Sequence, residues 1–302
     1  MNQKPPTTSP LVLSYEGDHP DEELLGWVRE GVVAGIVLFK ANATSEDAIK
    51  SAVEQLRASC PTRLSIMIDE EGGRVRRLPD APESMPALRT YGSGSLETVA
   101  AAYKAVAERL RRLDIDMLLA PVIDVGGEDT DWLDDRTFAD DPDRVAAFAR
   151  AVIPAIQGTG VAACAKHFPG LHSVAIDPHT ERAIERTPPS QWDQLDAVPF
   201  RAAITSHVGA VMVGHQIMMG FDPEHPACLS SMMVGMLLRQ RLGYTGLVLT
   251  DDMAMGAIAK YYRMDRAVSL ALRAGCNRVL ICQNRDLQRQ AVEGWRAQTK
   301  PT

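Results

Sequence analysis

The chain has 302 residues, of which 45% are apolar and 24% are charged, and its formal net charge at pH 7 is -7. This length and apolar content suffice for a full hydrophobic core and fit either two average domains or one barrel. The net negative charge and the lack of a dense run of lysine and arginine argue against nucleic acid or a membrane surface as a partner.

The amino-terminal segment MNQKPPTTSP is polar and proline-rich, without the apolar stretch and cleavage site of a secretory signal. No apolar run approaches the roughly 20 residues that are needed to span a bilayer. Five cysteines are scattered along the chain without a CxxC pair, as expected for reduced thiols in the core. We therefore expect a soluble cytoplasmic protein, and we expect it to be a monomer.

Short apolar runs alternate with longer helix-like segments, which is the pattern of a parallel sheet with crossover helices. Eight runs are predicted to be strands: Leu11–Tyr15, Gly35–Phe39, Leu64–Asp69, Met117–Asp124, Val161–His167, Ala210–His215, Leu247–Asp252 and Arg278–Cys282. Amphipathic stretches between them are predicted to be helices, among them Leu96–Leu113, Pro142–Gln157 and Met232–Leu242. The stretch after Gln283 looks short for a last barrel helix.

This alternation fits a (β/α)8 barrel, but it would also fit an open doubly wound sheet. Polar residues follow the ends of many strands: Lys40 and Asn42, Asp69 to Arg77, Asp124, Lys166 and His167, His215, and Asp251. Barrel active sites draw on many strand ends, whereas a doubly wound sheet concentrates its ligand groups at one switch point. No GxGxxG or GxxxxGK[ST] loop supports the second architecture. We predict an α/β TIM barrel that forms a single domain over residues 1–302.

The run from Ala165 to Thr180 contains three of the seven histidines and one aspartate. Two prolines and a glycine within it exclude a continuing helix, so we predict a long loop. Asp177 precedes His179 by two residues, so its carboxylate can hold one ring nitrogen and orient the other for proton transfer. Taken alone, this run favours a catalytic role about as much as its two alternatives together. These alternatives are solvated loop histidines and a metal site formed by His167, His172, His179 and Asp177.

Two further stretches place acids at strand ends. The apolar run that begins at Leu247 leads directly into Asp251 and Asp252. A buried strand-end aspartate is desolvated unless a ligand, a cation or a reaction engages it. We interpret Asp251 as functional and Asp252 as a helix N-cap. The stretch Asp69–Arg77 is either a charged turn in which Arg77 is solvated, or a sugar site in which the aspartate accepts from hydroxyls and an arginine donates.

Four motifs together resemble glycoside hydrolase family 3: IDEEGGRVRRL, DDRTFADDP, KHFPG with a downstream Asp-x-His, and LRQRLGYTGLVLTDDMAMGAI. Their order and spacing are similar to those of its single-domain bacterial β-N-acetylhexosaminidases of the NagZ type. The resemblance runs from about Gly35 to Asn284. It implies a retaining glycosidase that needs neither a cofactor nor a metal. The implied substrate is a carbohydrate, namely a GlcNAc-containing muropeptide of peptidoglycan recycling.

The resemblance also implies roles for individual residues. Asp251 corresponds to the nucleophile, His179 to the general acid/base on a mobile loop, and Asp177 to its orienting partner. Retaining glycosidases usually use two carboxylates, and here a histidine replaces the second. Six residues correspond to substrate contacts: Asp69, Arg77, Arg136, Lys166, His167 and His215.

The chain departs from the family at two places in the histidine loop. The usual KHFPGHG reads KHFPGLHS, so His172 is displaced by one residue, and Pro178 stiffens the step between Asp177 and His179. The altered loop leaves a non-catalytic sugar-binding barrel open. Three other functions also stay open: a family 3 β-glucosidase, a GlcNAc phosphorylase, since a histidine acid/base leaves phosphate as a possible acceptor, and a metal-dependent hydrolase that uses the histidine cluster. Larger family 3 β-glucosidases take their acid from a second domain, which this sequence does not provide.

Overall fold

The computed structural model of the chain describes residues 9–82, 84–127, 130 and 132–299. The first eight residues, which carry most of the polar amino-terminal segment, lie outside this range. Among the described residues, no helix combines the length and the apolar character needed to cross a membrane.

Parallel strands close into a barrel in the order in which they occur along the chain. The barrel strands are β1 (Leu11–Leu13), β2 (Gly35–Leu38), β3 (Ser65–Ile68), β4 (Met117–Leu118), β5 (Ala162–Phe168), β6 (Ala210–Val213), β7 (Leu247–Asp252) and β8 (Arg278–Ile281). The last strand pairs with the first, with Leu280 opposite Val12, and this pairing closes the sheet. The predicted TIM barrel is therefore confirmed, and the doubly wound alternative is wrong.

Helices surround the barrel. They are α1 (Glu22–Arg29), α2 (Glu46–Ser59), α3 (Leu96–Arg112), α4 (Pro142–Gln157), α5 (Pro189–Gln194), α6 (Ala197–Thr205), a π-helix (Met232–Arg241), α7 (Gly256–Ala259), α8 (Met264–Ala274) and α9 (Arg285–Thr299). The expectation of a short last helix was wrong, because α9 has 15 residues. The predicted helix that begins at Met232 is a π-helix. The spacing of its apolar residues does not distinguish a π-helix from an α-helix.

The core has two layers, because successive strand residues point to opposite faces of the sheet. Val12 and Leu280 belong to a cluster that also contains Cys164 and Cys282 and fills the barrel. Leu11 and Leu13 belong to the larger cluster between strands and helices. Cysteines at four positions are buried and free as predicted, whereas Cys60 at the end of α2 is only partly buried.

A long loop connects β5 to α5, as the prolines and glycine predicted. Two short strands, Ile184–Glu185 in this loop and Ile217–Met218 after β6, form a separate parallel pair. A further hydrogen bond from Ile217 N to Ala183 O ties the same two loops together. The end of the β5 loop is thus anchored beside the carboxyl-terminal edge of the barrel.

Candidate active site

A cavity of about 760 Å³ lies at the carboxyl-terminal ends of the strands. Eight of the nine site residues inferred from the sequence line it: Asp69, Arg77, Arg136, Lys166, His167, Asp177, His179 and Asp251. The ninth, His215, lines a smaller adjoining pocket together with Asp251 and His179. The fold therefore gathers side chains from five different strand ends and their loops around one space.

Asp251 lies in β7, the strand that runs through the barrel into the cavity. Burial alone would raise its pKa, but the imidazoles of His167, His215 and His179 and the N–H of Asp252 lower it, and the net shift is downward. Its Oδ1 accepts that N–H at 2.7 Å. The side chain is therefore a carboxylate at neutral pH, which is the state that a nucleophile requires.

Asp252 holds the ends of two strands together and does not cap a helix. Its Oδ1 accepts hydrogen bonds from Ala254 N at 3.0 Å and Cys282 N at 2.9 Å. The predicted N-cap role was wrong because β7 continues through Asp252, which pairs with Leu280, and α7 begins only at Gly256. Burial raises the pKa of this carboxyl to about 6.

A buried ion-pair cluster forms one wall of the cavity. Lys166 Nζ lies 2.6 Å from Asp69 Oδ1 and 2.7 Å from Glu71 Oε1. Arg136 donates to both oxygens of Glu71, at 2.8 and 3.0 Å. Burial would raise the pKa of Glu71, but Arg136 and Lys166 outweigh it and hold that pKa well below its usual range. Glu71 therefore stays a carboxylate between the two cations, and these ion pairs hold the wall in place before any ligand arrives.

Glu71 is the site residue that the sequence analysis missed. It is only 2% exposed, yet it follows the strand end within a run of three acids, where no periodicity marks an inward direction. Charge balance could have indicated Glu71. Arg136 and Lys166 lie on other elements, and when such cations are buried they require carboxylates beside them.

Arg77 is not the solvated turn residue that the alternative reading of its stretch proposed. Its guanidinium lies over the ring of Phe39, with 5.6 Å from Cζ to the ring centroid. Its Nη2 is 4.0 Å from Asp69 Oδ2, at the limit of an ion pair. This loosely paired guanidinium on the cavity wall can donate to a polar ligand.

His167 is oriented by Asp124, a buried residue in the segment that follows β4. Its Nδ1 lies 2.7 Å from Asp124 Oδ2, and its backbone N–H donates to both oxygens of the same carboxylate. A proton on Nδ1 leaves Nε2 as the ring nitrogen near the cavity, 3.5 Å from Arg136 Nη2. Asp124 therefore determines which nitrogen a ligand meets.

The structure joins Asp177 and His179 in the way that their spacing allows. Asp177 Oδ1 lies 2.6 Å from His179 Nδ1 and also accepts the His179 backbone N–H at 2.9 Å. The His179 side chain is 58% exposed. In the part of the chain that is described, Nε2 of His179 has no hydrogen-bond partner. The second nitrogen is thus available to exchange a proton with a molecule in the cavity.

His215 is buried, and both of its ring nitrogens are engaged by the protein. Nε2 donates to Asp252 O at 2.9 Å, and Nδ1 lies 3.2 Å from Cys228 Sγ. Burial lowers the pKa of this imidazole. The residue therefore supports the end of β7 next to Asp251, and neither nitrogen is free to bind a sugar directly.

His172, the displaced histidine of the loop, is not among the residues that line the cavity or its adjoining pocket. Its Nδ1 lies 2.9 Å from Gly126 O. Gly127 packs against it so closely that a Cβ there would lie 1.9 Å from His172 O. Across the described ranges, no group of three or more histidine, cysteine or acidic side chains is arranged to hold a metal ion.

Comparisons with known proteins identify the family to which the chain belongs. Residues 10–298 match the Glycosyl hydrolase family 3 N terminal domain. The beta-hexosaminidase of Xanthomonas oryzae pv. oryzae is 34% identical over 298 residues, which cover 96% of this chain and 89% of the relative. The beta-hexosaminidase of Xylella fastidiosa is 34% identical over 279 residues, which cover 90% of this chain and 83% of the relative.

Solved structures give the same result. Native NagZ from Neisseria gonorrhoeae has a TM-score of 0.87 and 26% identity, and the alignment covers 95% of this chain and 85% of that one. The glycoside hydrolase family 3 beta-N-acetylglucosaminidase from Paenibacillus has a TM-score of 0.92 and 29% identity over 95% of this chain. This chain spans only 56% of that larger protein. The chain therefore belongs to glycosyl hydrolase family 3 and is a glycoside hydrolase.

Proposed function

We propose that the protein is a retaining β-N-acetylglucosaminidase in which Asp251 is the nucleophile and His179 is the general acid/base. The observation that carries this proposal is that a carboxylate and an imidazole, which come from different parts of the chain, line the same cavity. Asp251 is a carboxylate at a strand end, and His179 is an imidazole held by Asp177 on a different loop. The names of the relatives and of the solved neighbours support the choice of sugar.

In the first step, a carboxylate oxygen of Asp251 attacks the anomeric carbon, and the bond from that carbon to the leaving oxygen breaks. His179, as an imidazolium, gives its Nε2 proton to the leaving oxygen. Asp177 accepts the Nδ1–H bond and stabilises the positive ring before the transfer. The products of this step are the free aglycone and a glycosyl ester on Asp251.

In the second step, neutral His179 takes a proton from water, and the water oxygen attacks the anomeric carbon. The ester bond to Asp251 breaks, and the carboxylate returns to its starting state. Each of the two steps inverts the anomeric centre, so the net result is retention. The lowered pKa of Asp251 keeps the carboxylate ionised for its attack and makes it a better leaving group in the second step.

Asp69, Arg77, Arg136, Lys166 and His167 are proposed to hold the polar groups of the sugar. Ion pairs and hydrogen bonds fix all of these except the loosely paired Arg77 in the cavity wall, so little reorganisation is needed when the substrate binds. His215 is proposed to act indirectly, by supporting the β7 end through Asp252 O.

For the physiological substrate we propose terminal β-linked GlcNAc on peptidoglycan-derived muropeptides, cleaved in the cytoplasm during cell-wall recycling. The likeness to NagZ supports this choice. Lys40 supports it as well, because this exposed cation lines the cavity and suits an aglycone that carries carboxylates. We further propose that residues 1–302 act as one catalytic domain and as a monomer.

Hydrolysis of chromogenic β-GlcNAc and β-glucose substrates by the wild type and by Asp251→Asn tests the proposal, with a chelator present. We expect turnover of the GlcNAc substrate and a loss of about 10⁴-fold or more in the variant. Circular dichroism of Asp251→Asn checks that the variant folds.

Each alternative predicts a different result in the same assay. Preference for the glucose substrate would favour a β-glucosidase, and product formation that depends on added phosphate would favour a phosphorylase. Sugar binding without turnover by the folded wild type would favour a non-catalytic barrel. Activity that the chelator abolishes would favour a metal-dependent hydrolase.

A further inference from the structure

The dyad loop, residues 177–182, lies against the segment that follows the nucleophile strand. Two backbone hydrogen bonds join them, from Gly256 N to His179 O at 3.0 Å and from Ala257 N to Pro178 O at 3.2 Å. The first of these ends on the carbonyl of His179 itself. The position of the dyad thus depends directly on the segment of residues 256–261.

Side chains add a second set of contacts between the same two segments. The Glu181 carboxylate accepts a short hydrogen bond from the Tyr261 hydroxyl and lies 3.3 Å from Lys260 Nζ. The Arg182 guanidinium lies over the Tyr261 ring, with 3.7 Å from Cζ to the ring centroid. The Tyr261 hydroxyl and Lys260 hold the pKa of Glu181 near 2, so the carboxylate stays charged. We call this set of side chains the clasp.

Gly256 allows the close approach that the clasp requires. A Cβ at this position would lie 2.5 Å from Thr180 O and 3.0 Å from His179 O, and both of these atoms belong to the backbone. A larger residue would therefore push the dyad loop away from the segment.

Neighbouring parts of the β5 loop are tied elsewhere, whereas the polar contacts that the dyad loop makes with other described segments go to one place. Trp132 donates to Val174 O at 2.8 Å, and Ile217 N donates to Ala183 O at 2.8 Å. Between these points, in the part of the chain that the structure describes, the inter-segment hydrogen bonds and ion pairs of residues 177–182 all go to residues 256–261.

We propose that Tyr261 is a positioning residue, which together with Gly256 holds the dyad loop so that His179 reaches the leaving oxygen. This inference rests on the proposed role of His179 as general acid/base. The His179 side chain is 58% exposed, so local packing does not fix its position over the cavity. Proton transfer requires heavy atoms within hydrogen-bond reach, and a displaced loop loses that geometry.

The test compares leaving groups. We expect Tyr261→Ala and Glu181→Gln to lower kcat/KM about tenfold for an alkyl β-GlcNAc substrate, a part of the roughly 10²–10⁴-fold that a general acid contributes. With a dinitrophenyl β-GlcNAc substrate the leaving oxygen needs no protonation. The kcat/KM of both variants for this substrate should therefore stay close to the wild-type value. Tyr261→Phe keeps the ring under Arg182, guards against misfolding, and should show a smaller loss of the same kind. Tyr262→Phe, next to it, is the matched control and should show neither loss.

A double-variant cycle distinguishes positioning from general destabilisation. If Tyr261 acts through His179, Tyr261→Ala should cost nothing further for the alkyl substrate in a His179→Ala background. Equal losses for both leaving groups, or a full additional loss in that background, would overturn the inference.

The single variant His179→Ala separates this inference from the proposed function. A loss in His179→Ala that does not depend on the leaving group would remove the acid role, and the inference with it. If the loss in kcat/KM depends on the leaving group in His179→Ala but not in Tyr261→Ala, the proposed function stands and only the role of the clasp is refuted.

Discussion

Replacing Glu71 by glutamine removes the negative charge that lies between Arg136 and Lys166 in the cavity wall. In the wild type both carboxylate oxygens accept from Arg136, and one of them also lies 2.7 Å from Lys166 Nζ. An amide offers one acceptor oxygen and turns an NH₂ group toward a cation. Lys166 keeps its contact with Asp69 at 2.6 Å, so Arg136 becomes the less neutralised of the two cations.

The expected size of the effect follows from burial. Removing one partner of a buried ion pair costs about 3–5 kcal/mol, and a hydrogen bond to a charged group contributes about 1.5–3 kcal/mol. Because Lys166 retains Asp69, we expect a loss at the lower end, about 3 kcal/mol of unfolding free energy. Arg136 and Lys166 are also proposed sugar contacts, so we expect kcat/KM to fall at least about tenfold, which corresponds to about 1.4 kcal/mol.

Denaturant unfolding measures the stability change, and initial rates on a chromogenic β-GlcNAc substrate measure kcat/KM. Glu70→Gln is the matched control, since Glu70 is equally buried but accepts the backbone N–H groups of Arg77 and Leu78. An amide oxygen can still accept these bonds, so the control should keep nearly all of its activity. Wild-type stability and kcat/KM in Glu71→Gln would refute the argument that this charge organises the site.

Three further substitutions follow from the structure. Asp177→Asn weakens the partner of His179 Nδ1, so kcat/KM should fall more for alkyl than for dinitrophenyl substrates; equal losses would contradict the orienting role. Arg77→Lys loses the planar donor fork near Asp69, so KM should rise more than kcat falls, as steady-state rates would show. Burial raises the pKa of Asp196 well above its ordinary value, so the folded state binds that proton more tightly, and its contribution to stability falls as pH rises from about 4. Asp196→Asn should flatten that fall in unfolding experiments, and an unchanged pH profile would contradict it.

The sequence was sufficient for the barrel because its strands are largely buried on both faces and read as short, mostly apolar runs. Leu11–Leu13 and Ala210–Val213 are examples in which every residue is buried. The last helix was underestimated from its length alone. Its buried residues Gln288, Ala291, Val292 and Trp295 follow helical spacing, which the sequence already contained.

The predicted site residues lie at strand ends or in the loops that follow them, and the fold brings eight of the nine to one cavity and His215 to an adjoining pocket. Glu71 could not be placed in the same way, because its partner Arg136 is 65 residues away in the chain. The Asp252 prediction failed for a similar reason, since its carboxylate accepts a hydrogen bond from Cys282 N, 30 residues away in the chain, and α7 begins only at Gly256. The clasp of Glu181 and Tyr261 joins residues 80 apart, so no local pattern could indicate it.

The most direct test of the central claim is to trap the glycosyl-enzyme in His179→Ala. With a dinitrophenyl β-GlcNAc substrate, the first step needs no acid, whereas the second step lacks its base, so the ester intermediate should accumulate. Peptide mass mapping should then find the sugar on Asp251. A sugar found on another carboxylate, or turnover that Asp251→Asn retains in full, would contradict the account.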